Sequence, residues 1–393
     1  MFDISFNRLE GGLGRKATGN DHVTALLFYT MGITMGIVPQ LDCTSLEQAV
    51  TQGLVRSTMW EVYYHVAEFF RKAPGARLIV KNITTATTTY ADLRTLQAEK
   101  EGVIKQFGIW DGTQAVTPLR LTAINDVCAA MAADNMPAVA VLSPMVTPAT
   151  LATLPDLSTT NAPNVAVVIA HDTLGIGYAT TSNPQVGIIG ATLGAMATMQ
   201  VHTSLQWVGK NNMVTTAYKN ANGTIYPTRE LDNLGFLGNT AYNTLTLAQV
   251  NAIDAKGYMF LRKHVDYAGS YFNHSRAATT TISDYAFIEA SRTMHKGCRA
   301  VYKDLLPYLG SPAFIDDATG FITEASVASF EEIASAGLAQ MQRDGEISGF
   351  LVVIDAQQPI LTTGKLYVQL RIVPTGTLRE IIVNIGFTLK LNN

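Results

Sequence analysis

Seven histidines are the residues most able to carry acid–base or metal chemistry, and they stand at His22, His65, His171, His202, His264, His274 and His295. No two are spaced i, i+4 in an HExxH pattern, which would set two imidazoles on one helix face for zinc. His171 and Asp172 directly follow the apolar run "NVAVVIA", at the kind of strand end where α/β sheets carry catalytic groups. Such a pair needs a nucleophile to activate, and no GxSxG turn supplies one. His264, Asp266 and His274 form the other cluster. On a strand His264 and Asp266 share a face, which suits a metal or acid–base site, although polar pairs of this kind usually serve surface turns or interfaces.

The glycines give little more. "GGLGRKATG" lacks the GxxxxGK[ST] spacing of a phosphate loop and reads better as a flexible arm. "GIIGATLGA" spaces Gly187, Gly190 and Gly194 loosely like a dinucleotide fingerprint, but no ribose-binding acid follows at the usual distance. Close packing of a small-residue helix is the better explanation. Cys43, Cys128 and Cys298 are far apart and show no CxxC spacing, so neither a disulfide framework nor a cysteine zinc site is indicated, and a reducing compartment fits. No catalytic residue, metal or cofactor is assigned from these patterns, and the expectation is a protein that is not an enzyme. An α/β enzyme using His171 and Asp172 remains the alternative.

The elements that would position these residues follow from hydrophobic periodicity. The chain has 393 residues, 47% hydrophobic and only 15% charged, with a net charge of −3. A surface poor in charge and rich in Thr and Ala suits burial against other subunits, and it offers no basic footprint for nucleic acid. No apolar stretch approaches the roughly 20 residues that span a bilayer, so no membrane insertion is expected. The start, "MFDISFNRLEGGLGRK", has no basic head followed by an apolar run, unlike a signal peptide.

Residues 1–20 read as a strand-capable arm, alternating Phe2, Ile4 and Phe6 before Gly11, Gly12 and Gly14. From there to about residue 235, strands such as "VTALLFYT", "ARLIV" and residues 138–142 alternate with helices over 57–72 and 117–135. That is the pattern of an α/β sheet covered on both faces. A turn-rich stretch, 210–239, suggests a domain boundary, with a second domain over 236–393. It should hold a long helix capped by Ser283 or Asp284, a second helix capped by Thr323 or Ser326, and three strands. The last strand, "REIIVNIGFTLKL" within 379–393, sets Ile381, Val383, Ile385 and Phe387 on one face.

The order of these C-terminal segments resembles a known family. "GYMFLRKHVDYAGSYFN", "SDYAFIEASRTMHKGCRAVYKDLLPYL" and "ISGFLVVIDAQQPILTTGKLYVQLRIVPTGTLREIIVNIGF" together resemble the conserved C-terminal domain of contractile tail sheath proteins from phages and phage-like injection particles, of the branch found in Bacteroidetes prophages. The resemblance covers roughly 244–391 and rests on order and spacing, not on one diagnostic motif.

The resemblance implies a two-domain tail-sheath fold: an outer, more variable α/β sheet domain and an inner α+β assembly domain, with extended N- and C-terminal strand arms. It implies a structural subunit that polymerises as stacked hexameric rings around an inner tube and contracts to drive that tube through a target envelope. Partners would be further copies of the chain, the inner tube protein, and baseplate and terminal cap proteins, with assembly in the bacterial cytoplasm. Phe2, Ile4, Phe6, Ile381, Val383, Ile385 and Phe387 would serve strand exchange between subunits, and Gly11, Gly12 and Gly14 would be hinges. Glu331, Glu332, Arg343 and Asp344, on the helix "SFEEIASAGLAQMQRDGE", are candidate tube-facing residues, against the plainer reading of a solvated helix face. Another self-assembling phage structural protein is a further alternative.

Overall fold

The computed structural model describes residues 21–29, 40–83, 89–172, 185–214, 218–219, 225–226 and 231–387. Phe2, Ile4, Phe6, Gly11, Gly12 and Gly14, expected to serve strand exchange and bending, lie outside the described residues.

The larger core is built on a six-stranded sheet formed by β1 (Thr24–Tyr29), β2 (Leu41–Cys43), β3 (Leu78–Ile83), β4 (Gln106–Ala115), β5 (Val139–Met145) and β6 (Val165–Val167), in the order β2-β3-β1-β4-β5-β6. All neighbours are parallel except β2, an antiparallel edge strand. Helices cover both faces of the central strands, and every residue of β1 is buried. The helices of this part are α1 (Leu46–Thr51), α2 (Trp60–Lys72), α3 (Ala91–Glu99), α4 (Pro118–Ala133), the single turn α5 (Pro148–Leu151) and α6 (Ile189–Thr198). Ser45 and Thr117 accept backbone N–H bonds as the N-caps of α1 and α4.

The glycines of α6 serve packing. A Cβ on Gly190 would lie 2.2 Å from the His65 carbonyl oxygen of α2, and one on Gly194 would lie 2.7 Å from that of Phe69. Only hydrogen at these positions lets α6 close against α2.

The run 164–170 is divided between two sheets. Its first half is β6; its second half opens β7 (Ala170–Asp172). Between them Val168 bridges Met259, and the Ile169 N–H bonds the Met259 carbonyl, which draws the chain away from β5. After the two-residue pair β8 (Tyr218–Lys219) and β9 (Ile225–Tyr226), β10 (Leu234–Phe236) pairs antiparallel with β7 and with β11 (Thr240–Ala241). Helix α7 (Leu247–Ala255), capped by Thr246, leads to the hairpin β12 (Leu261–His264) and β13 (Tyr267–Phe272).

The apolar core of this part runs from Val23 to Ile288. The division at 235/236 therefore separates residues that share one core. The change of core falls along α8 (Ile288–Leu305), whose second half joins α9 (Glu324–Arg343), β14 (Ile347–Ile354), the single turn α10 (Ile360–Thr363) and β15 (Val368–Pro374). Helix α8 begins later than a Ser283 or Asp284 cap requires. Residues 283–286 form a turn, Arg276 bridges Phe287 as short strand pairing, and Phe287 stands at the N-cap without a side-chain bond. Thr323 caps α9 as expected, accepting from the Ser326 N–H. Among the described residues no helix is long and apolar enough to cross a membrane.

Candidate functional site

The residues nominated for acid–base chemistry are tied up in the fold. His171 and Asp172 are buried in β7, and the Asp172 carboxylate accepts the Leu231 backbone N–H. Burial lowers the His171 imidazole to about 4, so it is neutral near pH 7. His264 ends β12, whereas Asp266 sits in the hairpin turn with φ 56°, so the two do not share a strand face. His274 is buried, with Nδ1 accepting the Arg276 N–H at 3.1 Å. Among the described residues no three His, Cys, Asp or Glu side chains stand close enough to hold a metal ion.

The sheet order reverses beside β1, and the ends of parallel strands at such a point are where open α/β sheets bind ligands. Here buried Arg120 is consumed internally. It donates to Asp111 Oδ2 at 2.6 Å, to the Tyr90 hydroxyl at 2.6 Å, and to the carbonyls of Gln114 and Ala115.

The C-terminal unit is different because its surface is unfinished. β14 and β15 form a two-stranded antiparallel sheet, in register from Ile354↔Val368 to Leu351↔Arg371 and beyond. One face packs on α8 and α9 through Val352, Val301, Leu338 and Met341, with Ile372 against Gly297. The other face leaves Leu351, Val353 and Val373 exposed. Two strands alone form a marginal sheet, and a strand edge without a partner is a template for adding another strand.

Residues 375–387 pair with no strand among the described residues, although their apolar alternation reads as one. Ile381, Ile382, Val383, Ile385 and Phe387 are all more than three quarters exposed, from 76% at Ile381 to fully at Phe387. Exposed apolar patches of this kind are, in proteins generally, surfaces that take a partner.

The segment leaves the body at a fixed point. Arg379 Nη2 donates to Glu289 Oε1 at 2.9 Å, and its guanidinium carbon lies 3.2 Å from the centre of the Phe287 ring. Glu289, nearly buried on α8, also accepts from Ser275 Oγ at 3.0 Å. The same helix holds the other end of the described chain: Lys296 Nζ lies 2.7 Å from Asp21 Oδ2, and Arg299 Nη2 lies 3.1 Å from Asp21 Oδ1. Lys296 also reaches Glu346 Oε1 at 2.7 Å, at the start of β14. Burial pushes the Asp21 carboxyl up, but the hydrogen bond and charge of Lys296 and the charge of Arg299 outweigh it and leave it below its ordinary value.

These anchors were not among the residues singled out from sequence. Their signal was present as Glu289, Lys296 and Arg299 at i, i+7 and i+10, which share one helix face. Of the candidate tube-facing residues, Glu331 accepts the Ile354 N–H at 2.8 Å and so is engaged inside the unit. Glu332, Arg343 and Asp344 are exposed, and the last two bond to Gln340.

The DUF2586 N-terminal domain model matches residues 1–276, and the DUF2586 C-terminal domain model matches residues 284–392. No curated protein matches the chain. Among solved structures it is similar to the helical sheath of the anti-feeding prophage in its contracted state, at 14% identity and TM-score 0.61, over 98% of each chain. It is also similar to the contracted sheath of the PVC extracellular contractile injection system, at 11% identity and TM-score 0.60, over 99% of this chain and 98% of that one. A sheath tail protein from Listeria innocua matches at 11% identity and TM-score 0.53, over 89% of this chain and 94% of that one. The fold is that of contractile tail sheath proteins.

Proposed function

The chain belongs to the DUF2586 family, and on that premise, with the sheath fold, we propose that it is the structural subunit of a contractile sheath. Copies stack as hexameric rings around an inner tube, and repacking of the lattice into a shorter, wider form drives the tube through a target envelope.

The observation that carries this reading is that one chain has both an exposed apolar segment, 381–387, and an open two-stranded sheet. A strand added to an edge satisfies its backbone groups on the acceptor, while alternate side chains enter the acceptor's core. Ile381, Val383, Ile385 and Phe387 lie on one face of such a strand. Each apolar side chain so buried contributes about 1.5–3 kcal/mol. Strand exchange of this kind, with Phe2, Ile4 and Phe6 as the second donor, gives a mesh whose links persist while subunits rotate, and Gly11, Gly12 and Gly14 supply the bending.

Contraction then needs no nucleotide or cofactor. The extended lattice is a metastable state, and its conversion releases free energy stored at assembly. Glu332, Arg343 and Asp344 are exposed at α9 and its end, and on this reading they touch the tube through polar contacts weak enough to break. Baseplate and terminal cap proteins complete the particle, which assembles in the bacterial cytoplasm. Electron microscopy of the purified chain tests the reading: rings or long hollow cylinders are expected, and a particle that stays monomeric at every concentration contradicts it.

A further inference from the structure

Beside the root of the C-terminal segment lies a groove of about 880 Å³, walled by Trp207, Arg262, His264 and Leu378. Two features set it apart. No Asp or Glu is among its described lining residues, although Arg262 and Arg379 both face it. Several of its nitrogens also lack partners: Arg262 Nε, Arg379 Nη1, His264 Nε2 and His202 Nδ1 are buried without a hydrogen bond. Arg379 spends Nη2 on Glu289, whereas Arg262 makes no ion pair among the described residues. The apolar wall is exposed as well: Trp207 is 48% open to solvent, and the Lys210 ammonium lies 4.2 Å from the centre of its ring.

A groove that presents Arg262 and an aromatic wall, with no Asp or Glu among its described lining residues, fits an acidic side chain carried next to a large apolar one. Buried nitrogens without partners cost stability, and a carboxylate is the strongest acceptor a protein can offer a guanidinium. This chain displays such a segment in the turn between α8 and α9. Phe314 is 79% exposed. Asp316 is consumed by its own turn, accepting from the Ala318 and Thr319 N–H groups, which leaves the neighbouring Asp317 exposed.

We propose that the groove receives the Phe314–Asp317 turn of a neighbouring copy, with the Phe314 ring against Trp207 and the Asp317 carboxylate on Arg262. An aromatic ring suits a wall of Trp207, Arg262 and Lys210, just as Phe287 accepts the Arg379 guanidinium within the subunit. The segment at Ile282 and Asp284 also sets an exposed apolar residue near an acid, and it is the rival occupant. The inference rests on the reading of the chain as a self-assembling subunit and names one contact of that assembly.

A peptide spanning residues 311–321 titrated into the full chain tests it, read by tryptophan emission, with Trp207→Phe assigning the signal. Saturable binding with Kd on the order of 1 mM is expected for one small contact. Arg262→Glu in the protein, or Asp317→Lys in the peptide, should each weaken it by about tenfold, and the two together should restore it. Absence of saturable binding, indifference to the Asp317→Lys change, or binding of a peptide carrying Ile282 and Asp284 in its place would overturn the proposal. Because the peptide binds a single subunit, these outcomes are separate from whether the chain forms cylinders.

Discussion

Arg379 and Glu289 are joined by a 2.9 Å ion pair at the point where the exposed C-terminal segment leaves the body, with the Arg379 guanidinium laid on Phe287. Asp21, at the other end of the described chain, is held by Lys296 and Arg299 of the same helix. Glu289 and Lys296 are seven residues apart on α8, about 10 Å along its axis. One helix thus holds both Asp21 and Arg379, and it spans from the large core to the C-terminal unit. In a lattice linked by exchanged strands, a turn of α8 would move both roots together.

Arg379→Ala leaves the nearly buried Glu289 with Ser275 as its remaining side-chain partner. The subunit should lose about 1–2 kcal/mol of stability, a figure held down by the partial exposure of Arg379. Arg379→Lys should recover part of it, because lysine restores the charge without the planar stack. Urea unfolding of the unassembled subunit measures both.

The buried histidines predict a pH dependence. Burial lowers His65 to about 3 and His171 to about 4, against 6.5 for a free imidazole. Below pH 6.5 the unfolded chain takes up protons that the folded chain refuses, so stability falls with pH through the window between 6.5 and those folded values. At about one unit below the free value each residue should contribute about 1 kcal/mol of destabilisation. His171→Leu should flatten part of this slope in unfolding curves measured across that window; an unchanged slope would show that His171 is protonated in the fold.

Gly190→Ala places a methyl group 2.2 Å from the His65 carbonyl, a contact that backbone must yield to. The expected cost is about 3 kcal/mol, from overpacking of α6 against α2. Thermal unfolding should show it as a drop in midpoint larger than that of Gly349→Ala, where an added Cβ meets nothing within 4 Å.

Much of the α/β half is legible in its residue pattern. The mostly apolar runs of β1 and β5, and the Thr323 cap, are local signals and appear where expected. The parts that were not legible depend on distant partners. "NVAVVIA" divides between two sheets because Met259, some ninety residues on, competes for its backbone. The α8 start is displaced because Phe287 pairs back to Arg276. "REIIVNIGF" has the alternation of a strand, yet among the described residues nothing in its own chain pairs with it. Alternation specifies a side-chain face; it does not specify whose edge completes the ladder. The anchors at Glu289, Lys296 and Arg299 share a helix face in the sequence, but nothing local says that Asp21 and Arg379 come to them.

Removal of residues 381–393, leaving the Arg379 anchor in place, tests strand exchange most directly when the full and shortened chains are compared by electron microscopy and thermal unfolding. The prediction is a shortened chain that folds with the unfolding midpoint of the unassembled full-length subunit but forms no rings or cylinders, while the full chain forms them. A shortened chain that polymerises like the full one, or one that fails to fold, would contradict it, the first by making the segment dispensable and the second by placing it in its own subunit's core.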